Sequence, residues 1–308
     1  MKPIRSILPL LAVLPFSMAQ GAMAADPGAD ALKNQVKAQA SGLADRKAEG
    51  WLKNLLSSDR GVTEVSVEGI AHNKPVWNIL LLRPLTESAD FQQNTFFQGS
   101  LFRQDDRTTL NLGYGYRQLT NDNKVLFGVN AFYDYEMPYD HQRMSLGGEI
   151  RSSVGEINAN IYRGLSGWRK GANSLEEKAL SGHDIEAALA LPYLPMAHVR
   201  AKNFVWNGID GAADRKGNTY SLTGTLPMGF SVEAGHTDYT GATRDESFFK
   251  VTYTLPLGDE IKNVKPLKLN VPYSMDSMVD RRFEKVRRDN RIVKATRTTG
   301  FAVTVSGY

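Results

Sequence analysis

The chain has 308 residues, enough for one large β domain or two smaller ones. It contains no cysteine, which excludes a disulfide framework and any cysteine-ligated metal site. The formal charge of +4 includes Lys2 and Arg5 near the start and leaves the remainder too mildly basic to suggest a nucleic-acid binder. A hydrophobic share of 42% with a mean hydropathy of -0.35 resembles a soluble protein, but a strand that is apolar on one face only gives the same average.

Residues 1–24 read as a secretory signal. Lys2 and Arg5 precede an apolar stretch over 7–18, and Ala22-Met23-Ala24 offers small residues to a signal peptidase. Cleavage is expected between Ala24 and Ala25. The stretch is shorter than the ~20 residues that span a bilayer and is interrupted by Pro9 and Pro15, so an anchor is the weaker reading. Residues 25–61 form a periplasmic segment on this reading. Leu32, Val36, Leu43, Trp51, Leu52 and Leu55 predict a helix over 29–57.

From 62 to 256 the period changes to two. Val125, Phe127, Val129, Ala131 and Tyr133 share one strand face, against Leu126, Gly128, Asn130, Phe132 and Asp134. Leu110, Leu112, Tyr114 and Tyr116 oppose Asn111, Gly113, Gly115 and Arg117. Met144, Leu146, Gly148 and Ile150 oppose Arg143, Ser145, Gly147, Glu149 and Arg151. The pattern predicts strands over 63–70, 76–84, 94–104, 108–118, 124–135, 142–152, 155–165, 183–191, 197–206, 218–227, 230–238 and 247–256. Many have the ~9–11 residues a tilted strand needs to cross hydrocarbon, where sandwich strands run nearer ~5–6. Tyrosines and tryptophans cluster toward strand ends, where rings with a polar tip favour the headgroup boundary. The fold class is therefore all-β: a twelve-stranded antiparallel transmembrane β-barrel with a short N-terminal helix and a C-terminal segment beyond the last strand. The longest interruption, 166–181, is expected to be an extracellular loop, with short turns at 153–154 and 228–229 on the other side.

Polar residues opposite the apolar faces must avoid lipid, where a charge near the midplane costs up to ~2–4 kcal/mol. The expected lumen set is Asn111, Arg117, Asn130, Asp134, Arg143, Glu149, Asn158, Asn160, Asp184, Glu186 and Lys250. Gly113, Gly115, Gly128 and Gly147 share that face and leave space to be filled. Residues 257–308 are a pore linker and short tail. A short helix is predicted over 275–286. Arg281, Arg282, Lys285, Arg287, Arg288, Arg291, Lys294 and Arg297 face Glu284 and Asp289 in sequence, a basic run able to pair with lumen carboxylates or with lipid phosphates. Residues 301–308 alternate and end in Tyr308, which suits an extra edge strand, an exposed tail or the remnant of a following domain's first strand.

Several motifs resemble the β-domain of the intimin and invasin family, the inverse autotransporters. They are Asn111-Leu-Gly-Tyr-Gly-Tyr-Arg117, Phe127-Gly-Val-Asn-Ala-Phe-Tyr-Asp134, His141-Gln-Arg-Met-Ser-Leu-Gly-Gly-Glu149, Asn160-Ile-Tyr162, Leu165-Ser-Gly-Trp168, Gly182-His-Asp184 and Leu191-Pro-Tyr-Leu-Pro195. Residues 282–294, with Arg282, Arg287, Arg288 and Asn290, resemble the linker that succeeds the family's barrel. The resemblance implies a Gram-negative outer-membrane barrel with a periplasmic N-terminus and a linker threaded outward through the pore. It also implies adhesive passenger domains beyond that linker; residues 295–308 are too short for one, and no LysM-type module is expected before the barrel. Expected partners are outer-membrane lipid or lipopolysaccharide and the barrel-assembly machinery, with a host receptor or a separately encoded secreted protein beyond them. Nucleic acid is not expected, nor is a cofactor, and a monomer is. Three functions compete: a translocation domain displaying its own C-terminal segment, a porin-like channel for small solutes, and a hydrolase using His141, His183 or His236 with nearby aspartates. The last is the weakest, because a histidine in an Asp-rich loop is usually inert, and the chain is read as not an enzyme.

Overall fold

The computed structural model describes residues 61–68, 76–241, 243–257, 271–298 and 303–306. The leader, with Ala24 and Ala25, and the helix predicted over 29–57 lie outside the described residues. The barrel strands are β1 (Gly61–Glu68), β2 (Val76–Glu87), β3 (Gln93–Gln104), β4 (Arg107–Leu119), β5 (Val125–Met137), β6 (His141–Ser152) and β7 (Gly155–Gly164). Next come two short strands outside it, β8 (Arg169–Lys170) and β9 (Glu176–Ala179). The barrel resumes with β10 (Gly182–Leu191), β11 (Leu194–Trp206), β12 (Arg215–Thr225), β13 (Phe230–Thr240) and β14 (Glu246–Leu257). Twelve antiparallel strands close on themselves when β14 pairs with β1, with Val67 opposite Val251. Closure leaves no free sheet edge, the condition for strands to cross lipid.

Alternation sets the two surfaces. Val129, Leu146 and Ile161 are 60, 57 and 60% exposed, whereas Asn111, Asp134 and Arg143 are fully buried. Apolar outside and ionic inside inverts a soluble protein and fits a wall between lipid and a polar bore. Register lines the interior up in rows. Asn111 pairs with Asp134 and Asp134 with Arg143; Glu149 pairs with Asn158, and Asn160 with Asp184. Short turns join the strands at one end. Asn123 (φ 58°) and Tyr193 (φ 65°) adopt left-handed backbone there, and Asp122 accepts a hydrogen bond from Thr120 Oγ1 at 2.6 Å. The longer connections gather at the other end, which we call the loop end.

One expectation gains detail and one is corrected. The connection at 166–181 carries β8 and β9. They join β15 (Lys294–Arg297) and β16 (Val303–Ser306) in a separate sheet of order β16-β15-β9-β8. The C-terminal strand thus extends this sheet and not the barrel. The helix predicted over 275–286 is reduced to one 3-10 turn, Val279–Arg281. Backbone groups that would close further helical turns are taken by the wall: Ser274 O accepts from Ser153 Oγ (2.8 Å), Met278 N donates to Asn123 O (2.7 Å) and Arg282 O accepts from Arg117 (2.6 Å).

Candidate functional site

The site is the bore and the extended segment inside it. At the short-turn end, Ser153 Oγ donates to Ser274 O (2.8 Å), and Met278 N donates to Asn123 O (2.7 Å). Arg282 then reaches Glu87 on β2. Mid-bore, Lys285 Nζ pairs with Glu64 at 2.5 Å, and Val286 N donates to Gln98 at 2.8 Å. Val286 packs among Leu80, Leu82, Phe96 and Phe132, one of three buried apolar clusters that the linker joins among the described residues. At the loop end Lys294 Nζ meets Glu136 at 2.7 Å, and β15 pairs with β9, Lys294 opposite Ala179. The segment therefore runs the length of the barrel.

At its centre Asp134 receives two guanidinium groups. Arg143 Nε donates to Oδ2 at 2.8 Å and Arg288 Nη2 to the same oxygen at 2.7 Å, and all three side chains are fully buried. Arg288 also donates to Ser145 (3.1 Å) and to Asn290 Oδ1 (3.2 Å), and lies 4.3 Å over the Phe132 ring. With its amide turned so that the nitrogen faces acceptors, Asn111 donates to Asp134 Oδ1 at 2.6 Å and Asn290 O at 3.1 Å. Arg117 pairs with Glu149 at 2.5 Å, and Arg151 with the same carboxylate at 2.7 Å. Asn160 and Tyr162 both donate to Asp184, each at 2.7 Å, and Tyr162 OH accepts from Asp289 N at 2.8 Å. A charge buried in this way is tolerable because each has a hydrogen-bonded partner.

Of the residues expected in the lumen, Asn111, Arg117, Asn130, Asp134, Arg143, Glu149, Asn158, Asn160 and Asp184 are buried there, and Glu186 meets Arg200 at 2.7 Å. Lys250 lies 3.9 Å from Glu68. In the linker Arg282, Arg288 and Asn290 make the contacts given above, and Arg287 approaches Glu233 at 3.8 Å. Glu64, Glu87, Gln98, Glu136 and Glu156 also belong to the lumen and were missed. Their signal was parity: Glu136 lies two residues beyond Asp134 and Glu156 two before Asn158. The basic run pairs with lumen carboxylates, which decides between the two partners its charge allowed. The glycines do not leave free space, however. A Cβ on Gly113 would come 2.1 Å from Phe132, one on Gly115 2.2 Å from Phe96, and one on Gly128 2.4 Å from Glu149. Neighbouring barrel side chains lie flat across them.

A second cluster closes the loop end. His141 Nε2 and Glu177 Oε2 are 3.1 Å apart, Arg107 bonds Glu177 (2.6 Å) and Glu136 (2.8 Å), and Arg297 bonds Glu176 at 2.8 Å. Glu177 lies in β9, outside the spanning strands. Burial pushes its carboxyl up, but the His141 and Arg107 contacts outweigh this and hold it at about 2. Glu136, His141 and Glu177 bring ligand atoms within 4.8 Å of one another, yet Arg107 and Lys294 already engage the carboxylates. The other two candidate histidines stand apart, His183 exposed on β10 and His236 exposed on β13. His236 contacts Ser247 Oγ (2.8 Å) and Asp238 (3.1 Å). Its strand is paired on both sides in the β12–β13–β14 ladder.

Fold and site together define an outer-membrane β-barrel plugged by its own C-terminal segment. A family description, the inverse autotransporter β-domain, matches residues 14–290, and the chain belongs to that family. An attaching and effacing protein homolog from Escherichia coli K12 is 28% identical over 183 residues, 56% of this chain and 57% of its own length. The inverse autotransporter adhesin YeeJ, also from Escherichia coli K12, is 25% identical over 88% of this chain and 12% of its own. Intimin from Citrobacter freundii is 24% identical over 86% of this chain and 28% of its own. The chain thus spans from about an eighth to just over half of these relatives. A chain solved in a study of in-meso crystallization of membrane proteins shares the fold. Its TM-score is 0.66 at 20% identity, and the match covers 77% of this chain and all of that one.

Proposed function

We propose that this barrel is a translocation domain that holds its C-terminal segment as a threaded strand and presents the residues beyond that strand at the cell surface. One observation carries the reading: residues 274–297 run from the short-turn end to the loop end and are hydrogen-bonded to the wall along the way. On this reading the short-turn end faces the periplasm. The relatives' names include an adhesin and an intimin, so we propose that the presented segment supports adhesion, by itself or with a separately encoded partner. No catalytic group is needed. The test is an epitope tag placed after Tyr308 in intact cells. A tag digested by external protease is the expected result; a tag that stays protected until the outer membrane is broken overturns the proposal.

A further inference from the structure

At the loop end the outer surface of β12–β14 turns polar. Its outward positions run from Leu222, Phe230 and Phe249 to His236 and Asp238 on β13 and Ser247 on β14. Tyr220, an exposed ring opposite His236, marks the boundary, since a lipid-facing tyrosine favours the headgroup level. Three ligand groups converge on its loop-end side. His236, Asp238 and Asp245 bring one nitrogen and two carboxylate oxygens within 4.8 Å of one another. His236 and Asp238 are two apart on one strand and so share a face. Asp245 comes from the connection to β14, where it accepts from Tyr239 N at 2.8 Å, which fixes that carboxylate beside the strand end. Ser247 Oγ contacts His236 Nδ1 at 2.8 Å and sets the ring so that Nε2 faces Asp238 Oδ1 at 3.1 Å. Zinc bonds nitrogen and oxygen at about 2.0–2.2 Å, so an ion between these two atoms would meet them at close to a right angle. No lysine or arginine neutralises the two aspartates: among the described residues their one ion pair is that of Asp238 with His236. In the buried cluster of Glu136, His141 and Glu177, by contrast, Arg107 and Lys294 supply that charge.

We infer that His236, Asp238 and Asp245 form a binding site for a divalent transition metal of the zinc class on the outer rim of the barrel. An imidazole nitrogen beside carboxylates suits zinc, copper or nickel, whereas magnesium and calcium take oxygen ligands. The side chains of His236 and Asp238 are 48 and 55% exposed, so water completes the coordination. The ion ties the 241–245 connection to β13 and offsets two adjacent negative charges.

The probe is zinc chloride, titrated calorimetrically into the untagged intact chain refolded in detergent. One ion per chain is expected. His236→Gln should abolish binding. Ser247→Ala, which frees the ring, should weaken it about tenfold, and Asp245→Asn at least as much. His183→Gln, at an exposed histidine on β10, should leave it unchanged. Copper(II) on the intact chain should show nitrogen hyperfine splitting in its paramagnetic resonance spectrum, and His236→Gln should lose it. All four changes fall at exposed positions, so the metal-free melts of the variants should match the parent's. An intact chain with no saturable binding overturns the site, as does undiminished binding by His236→Gln. Binding lost in His141→Gln instead would place the ion in the buried cluster and equally overturn it.

Discussion

Asp134 is the residue on which the seating of the linker turns. It faces two arginines, and removing one partner of a buried ion pair costs about 3–5 kcal/mol, because the remaining charge stays desolvated. Arg288→Ala is therefore expected to lower the guanidinium unfolding midpoint of the detergent-solubilised barrel clearly. Arg291→Ala should cost at most ~1 kcal/mol, as exposed pairs do, since Arg291 is 36% exposed and lies 3.9 Å from Asp289. Equal shifts for the two variants would contradict this account. Glycine supplies a second contrast. Gly113→Ala pushes a methyl group into Phe132, the ring under Arg288, and overpacking of this kind costs about 1–3 kcal/mol. At Gly148, on the lipid-facing side, the nearest atom to an added Cβ is 3.9 Å away, so Gly148→Ala should be close to neutral by the same melt. Strand parity put Asp134 and Arg143 on the inner face from sequence alone. It gave no partner for Arg288, because 154 residues separate Arg288 from Asp134 and no local spacing encodes that contact.

At the scale of elements, the long strands were legible and the short ones were not. A strand of 12 or 13 residues shows several periods of alternation, as β4, β5 and β6 do. β8 and β9 have two and four residues and no readable period; β9 is a strand because β15 lies beside it. The same dependence makes the pairing easy to break. β15 sits between β9 and β16, so a proline there removes a donor from a central strand. Thr296→Pro should leave the barrel folded and make residues beyond 296 far more sensitive to protease; an unchanged digestion pattern would show that the ladder does not hold the tail. Acid should loosen the same element. Glu177 is held at about 2 against an ordinary 4.5, so its stabilising contribution is complete above pH ~4.5 and is lost as pH falls toward 2. Pepsin cleavage of the tail should rise across that window, and Glu177→Gln should flatten the rise.

Over the whole molecule, charge ties the barrel to its plug. Between 281 and 294 the linker carries seven cations (281, 282, 285, 287, 288, 291 and 294) against Glu284 and Asp289, a net +5 inside the bore. The wall supplies the counter-charges. Some wall carboxylates have a second cation of their own, such as Asp134 with Arg143, Glu136 with Arg107 and Glu156 with Arg200. The wall is also a closed ladder whose backbone groups are satisfied without the linker. Removing 271–308 should therefore leave a folded barrel that still resists heat in detergent gels, at a lower transition temperature. The molecule would have lost a net four positive charges, and Glu64 would stand without Lys285. Water entering the vacated space would screen those carboxylates incompletely, and the field would concentrate cations in the lumen. The deletion variant should thus be cation-selective, with selectivity weakening as salt rises and the Debye length falls from about 10 Å at 0.1 M to about 3 Å at 1 M. An anion-selective or non-selective pore at low salt would mean that the linker does not neutralise the wall.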